Sequence, residues 1–152
     1  MGLKEKISDD LKGAMKSGDK LRLETMRTLR SALQEKEIER RGSGQPMSPD
    51  DEIAVLMTSA KKRRESIEQF QRGGRQDLVE QETKELAIIQ EYLPKQMSDE
   101  EIRKVIEEIV AHTGASGPGD FGIVMPAAMK LLKGKADGKV VQEMVKKRLG
   151  SA

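Results

Sequence analysis

Apolar residues recur at three- and four-residue intervals along almost the whole chain, the spacing of one face of a helix. No run of strand length alternates β-branched and polar positions. The pattern predicts an all-α protein. Leu3, Ile7, Leu11 and Met15 form the stripe of a first amphipathic helix that stops at Ser17-Gly18. Asp19 restarts the chain as an N-cap. Leu23, Met26, Leu29, Leu33 and Ile38 then carry a second helix to about Arg41, where Gly42-Ser43-Gly44-Gln45-Pro46 breaks it. Ser48-Pro49-Asp50-Asp51 combines a capping hydroxyl, proline at the first helical position and acids facing the positive helix end. The helix it opens uses Ile53, Leu56, Met57, Ala60, Ile67 and Phe70 and ends at Gly73-Gly74. A fourth opens near Asp77 and runs through Leu78, Leu86, Ile89 and Leu93 to Pro94. Short connections between four such helices predict an antiparallel bundle over residues 1–94.

Pro94 forbids helix continuation, and Ser98 with Glu101 forms a new capping box four residues later, so a second, smaller domain is expected over residues 95–152. Its first helix places Ile102, Val105, Ile106, Ile109 and Val110 on one face and stops at Gly114. The next opens near Pro118 or Asp120, shows Phe121, Val124, Met125 and Met129, and is expected to kink at Pro126. Lys133-Gly134-Lys135-Ala136 is a turn, and Asp137 caps a last helix carrying Val141, Met144, Val145 and Leu149.

Composition removes several kinds of chemistry. With no Cys there is no disulfide, thiolate nucleophile or zinc-thiolate site, and no apolar run reaches the roughly 18 residues of a membrane span. The expectation that follows is a soluble cytoplasmic protein. The single His112 falls in the last turn of a helix, where it favours the negative helix end and is poorly placed to serve a serine triad. Gly117-Pro118-Gly119 lacks the Lys and Ser/Thr of a phosphate-binding loop. Glu65, Glu68, Glu82 and Glu85 lack the histidine that a helical di-metal site requires. Neither a catalytic residue, nor a metal, nor a cofactor is assigned, and no small-molecule substrate, DNA or membrane partner is expected. Lys61-Lys62-Arg63-Arg64 spans a full helical turn, so its charges point in all directions and read as a solvated face.

The net charge of +2 hides a local excess. Residues 1–94 balance, residues 95–129 carry −3, and residues 130–152 carry +5 from Lys130, Lys133, Lys135, Lys139, Lys146, Lys147 and Arg148 against Asp137 and Glu143. Such a cluster can neutralise phosphates. It can also do no more than stabilise a helix C-terminus, at about 0.3–1 kcal/mol per charge. Phe121 is the only aromatic residue of the region, which excludes recognition of single strands by stacked bases and leaves a folded shape and its backbone as the readable features.

Several spaced motifs resemble the YqeY-like family. They are Glu91-Tyr92-Leu93-Pro94-Lys95-Gln96-Met97-Ser98, Gly114-Ala115-Ser116, Gly122-x-Val124-Met125 and Lys133-Gly134-Lys135-Ala136-Asp137-Gly138-Lys139, with Arg63-Arg64-Glu65-Ser66-Ile67-Glu68 upstream. The distal part of that family is similar to the tail domain of the B subunit of the tRNA-dependent amidotransferase. This chain carries about one extra helical turn between the Gly-x-Val-Met and Gly-Lys-Ala elements. The resemblance implies a tRNA-facing module, with Lys133, Gly134, Lys135, Lys139, Lys146, Lys147 and Arg148 as tRNA-binding residues and tRNA or a tRNA-handling enzyme as partner. A family label would be carbon-nitrogen ligase with glutamine as amido donor. The chain lacks the amidase Ser-Ser-Lys machinery and an ATP site, so it is expected to be an accessory protein and not an enzyme on its own. The alternative is a protein-interaction adaptor that docks through the Phe121, Val124, Met125 and Met129 stripe.

Overall fold

The computed structural model describes residues 2–150, and among them every regular element is helical. The elements are α1 (Leu3–Ser17), α2 (Lys20–Gly42), α3 (Pro49–Arg72), α4 (Gln76–Gln90), α5 (Asp99–Thr113), a 3-10 turn (Pro118–Asp120), α6 (Phe121–Leu132) and α7 (Gly138–Leu149). They divide into two compact units, Met1–Leu93 and Pro94–Ala152.

The helices begin where side chains can satisfy orphan N–H groups. Asp19 accepts from the Arg22 N–H, Ser48 from Asp51, Ser98 from Glu101 and Asp137 from Lys139. Asp51 in turn accepts from the Ser48 N–H, which completes a capping box. α1 and α5 stop at Gly18 and Gly114, both left-handed, with φ of 75° and 73°.

In the first unit, α1 packs on α2 and α3 on α4, and α2 also touches both α3 and α4. The core is Ile7, Leu11, Met26, Leu29, Leu33, Leu56, Ala60, Ile89, Tyr92 and Leu93. Two residues of the apolar stripes stay outside it: Met15 is 56% and Ile38 60% exposed. Lys4, in the first turn of α1, pairs with Glu37 of α2, so Ile38 lies where the shorter helix runs out. The fourth helix also ends early. α4 stops at Gln90, and Tyr92 and Leu93 continue with tighter bonds to the carbonyls of Ile89 and Gln90, because Pro94 disfavours helical geometry at the residue before it.

In the second unit, α6 packs against both α5 and α7. Ile102, Ile106, Ile109 and Val110 from α5 meet Val124, Ala128 and Leu132 from α6 and Val141, Val145 and Leu149 from α7, with Ala136 of the intervening turn. Pro126 does not interrupt α6. The carbonyl it cannot serve belongs to Gly122, an exposed residue that water can reach. No helix among the described residues is long and apolar enough to cross a membrane.

Candidate functional site

The turn between α6 and α7 is built around a left-handed glycine. The Lys133 N–H donates to the Met129 carbonyl and closes α6. Gly134 then takes φ of 78°, and the N–H groups of Lys135 and Ala136 both reach the Leu132 carbonyl. Ala136 is buried in the core, which fixes the turn from below, while Lys133 and Lys135 on either side of Gly134 are exposed. Gly134 itself is buried and serves the turn, not the surface.

The remaining cations divide by their position around α7. Lys139 and Lys146 are seven residues apart and lie on one side of the helix, with Lys147 adjacent. The Lys146 ammonium sits 5.8 Å from the centre of the Phe121 ring, which gives that region's one aromatic side chain a partner. Arg148 is about 180° around the axis from Lys139. Its guanidinium is hydrogen-bonded to Glu107 of α5, and this carboxylate raises the arginine's already high pKa. Arg148 and Lys147 line a groove of about 640 Å3 between α5 and α7, floored by Ile106, Val140 and Met144 and rimmed also by Asp99, Arg103, Glu107 and Glu143. The sequence-predicted set is therefore brought together at the turn and along one side of α7, and Arg148 is turned toward an acid.

Two residues beneath the turn escape a search for charge. Gln96 donates from Nε2 to the carbonyls of Pro94 and Gly134, each at 2.8 Å, and the Met97 N–H donates to the Lys135 carbonyl at 2.9 Å. The signal available in the sequence was their place inside the Glu91–Ser98 motif.

The apolar stripe considered for docking is largely consumed by folding. Val124 is fully buried, and Phe121, Met125 and Met129 pack partly buried against the core of this unit. The opposite side of α6 leaves Ile123 58% and Leu131 55% exposed.

In the first unit, the basic quartet is not uniformly solvated as expected. Arg63 is paired at 3.1 Å with both Glu82 and Glu85 across α3 and α4. Burial pushes the Glu85 carboxyl above its usual range; Arg63 opposes this and Glu82 adds to it. The side chains that could have suggested a carboxylate centre are thus occupied by a guanidinium. Among the described residues no group of three His, Cys, Asp or Glu side chains is arranged to hold a metal ion.

An all-helical chain of two small units, the second carrying a lysine-rich turn, defines the class. Residues 4–149 match the family described as Yqey-like protein, and the chain belongs to that family. It is 35% identical over 115 residues to Altered inheritance of mitochondria protein 41, mitochondrial, of Lachancea thermotolerans, covering 74% of this chain and 60% of that one. Its counterpart of the same name in Pyrenophora tritici-repentis is 28% identical over 96% of this chain and 80% of its own length. A glutamyl-tRNA(Gln) amidotransferase subunit from Thermococcus sibiricus is 36% identical over 86 residues, which make up 48% of this chain and 14% of that much longer protein.

These relatives correct the expectation of a cytoplasmic protein, since those called protein 41 are mitochondrial by name. That expectation rested on missing features. A water-filled compartment behind a membrane makes the same demands on composition as the cytoplasm does, so helix polarity and the lack of cysteine do not distinguish the two.

Proposed function

We propose that the chain is a small accessory protein that binds folded tRNA through its second unit, in the setting of tRNA-dependent amidation and without performing that chemistry itself. The observation that carries this reading is the exposed set Lys133, Lys135, Lys139, Lys146 and Lys147 around one turn and one side of α7. The similarity to part of a glutamyl-tRNA(Gln) amidotransferase supports the choice of tRNA over other polyanions. Lysines on a rigid turn can meet phosphates of a folded backbone by point-charge attraction, and their spacing along a helix lets several act at once. Arg148 contributes less than the lysines because binding must compete with Glu107 for its guanidinium. The test is a titration of the purified chain with tRNA across a series of salt concentrations. An affinity that does not respond to salt would end the phosphate-contact reading.

One observation favours a second reading, an adaptor that binds a tRNA-handling enzyme: Ile123 and Leu131 expose apolar surface on α6. That reading predicts binding of a purified tRNA-dependent amidotransferase in the absence of tRNA, abolished by Ile123→Asp. Binding that survives the substitution would remove the role of this face.

A further inference from the structure

Polar groups of a turn compete with its lysines for the character of the surface. The Lys133–Ala136 turn has carbonyl oxygens at Gly134 and Lys135, each a partial negative charge that would repel a phosphate if it faced outward. Both are occupied from within the unit. The Gln96 side-chain amide donates to the Gly134 carbonyl at 2.8 Å, and the Met97 N–H donates to the Lys135 carbonyl at 2.9 Å. The Leu132 carbonyl, the third acceptor here, takes the N–H groups of Lys135 and Ala136. The second N–H of the Gln96 amide is also used, on the Pro94 carbonyl at 2.8 Å, so its side chain is held at both donor positions. A short segment after Pro94 therefore grips the turn by its oxygens and leaves the two lysine side chains on the outside.

We propose that Gln96 is a positioning residue for the lysine turn, one that draws the Gly134 carbonyl inward and fixes the directions of Lys133 and Lys135 toward a polyanion. The part concerning the polyanion rests on the tRNA reading above; the part concerning the turn does not. Glutamine suits the role for a chemical reason. It presents two donors from one nitrogen to two carbonyls, whereas glutamate of the same length presents none at neutral pH and would set a carboxylate against two oxygens. Lysine could donate, but it would place a second hydrated charge in a part-buried position.

Full-length Gln96→Leu and Gln96→Glu test this, with two readouts. The first is amide hydrogen exchange at Met97, Lys135 and Ala136, expected to accelerate by about tenfold or more in both variants while Ile106, Ile109 and Val145 keep their wild-type rates. The second is tRNA affinity at fixed salt, expected to fall several-fold in both variants with circular dichroism unchanged. Unaltered exchange at the three amides would overturn the proposal. Faster exchange with wild-type affinity would overturn it equally, because the directions of the lysines would then not matter. A wild-type chain that binds no tRNA refutes the tRNA reading itself and with it the positioning of a polyanion site, and the exchange rates still report whether Gln96 holds the turn.

Discussion

Replacing Arg63 by leucine removes the cation shared by two carboxylates of the first unit. Arg63 Nη1 lies 3.1 Å from an oxygen of Glu82 and of Glu85, and the three side chains are 25%, 14% and 10% exposed. An ion pair on the open surface contributes about 0–1 kcal/mol, whereas deleting one member of a buried pair costs about 3–5 kcal/mol because the other is left charged in a poor solvent. Residual exposure puts this cluster between the two, and Arg63→Leu is expected to cost about 2–4 kcal/mol near neutrality. The loss depends on pH with a definite sign. Burial already holds the Glu85 carboxyl above its ordinary 4.5, and loss of Arg63 raises it further. The folded state then retains protons that the unfolded chain has released, so stability falls as pH rises above 4.5. The penalty is therefore largest at neutral pH and shrinks below 4.5, where both carboxyls are protonated in either state. The chain has one tyrosine and no tryptophan, and Tyr92 belongs to the first unit, so urea unfolding followed by tyrosine emission reports on the unit that contains the cluster. An equal loss at acid and neutral pH, or a neutral-pH loss under about 0.5 kcal/mol, would refute the buried-charge reasoning.

Three further substitutions probe other parts of the structure. The Tyr92 hydroxyl donates to Asp10 at 2.5 Å and Lys6 lies 5.6 Å from the centre of its ring, so Tyr92→Phe should lower first-unit stability by about 1–2 kcal/mol in urea unfolding followed by circular dichroism. Its hydroxyl pKa is raised, first by burial and then by the bond to Asp10, so an alkaline absorbance titration of the folded wild type should show no phenolate at pH values where the unfolded chain ionises. Asp51 is held well below its ordinary 3.8 by Arg40 and by the Ser48 N–H, and Asp51→Asn should therefore destabilise at neutral pH. The wild-type advantage should disappear as pH falls through the depressed value, because the native carboxylate's stabilisation is present above 3.8 and is lost on protonation. Leu132 is fully buried between the helices of the second unit, and Leu132→Ala should cost about 2–5 kcal/mol there, seen as an earlier loss of helical signal on heating.

Helix positions were legible in the sequence because the signals that set them are local. Ser48, Ser98, Asp19 and Asp137 cap helices through N–H groups two or three residues away, and Gly18 and Gly114 end them with their own backbone. Contacts between distant residues were not legible. Arg22 reaches Glu91 across 69 positions and Tyr92 reaches Asp10 across 82, pairings that no periodicity specifies. The same distinction applies at the site. Charge counting located the lysine excess, but it treated Arg148 as equivalent to Lys147, whereas Glu107 takes it on another helix. It also had no means of finding Gln96, which is uncharged and acts on a carbonyl 38 residues away. Met15 and Ile38 mark the opposite error: a stripe identifies a buried face, but the length of the neighbouring helix decides where burial stops.

The most direct test compares tRNA binding by the wild type with that of the Lys133→Ala, Lys135→Ala, Lys139→Ala triple variant between 50 and 200 mM salt, roughly the range over which phosphate contacts reveal themselves. If the turn contacts the tRNA backbone, the wild-type affinity falls steeply with salt and the variant binds more weakly, with a slope of log affinity against log salt reduced by about 2–3. Equal affinities and equal slopes for the two proteins would contradict a tRNA-binding role for this turn.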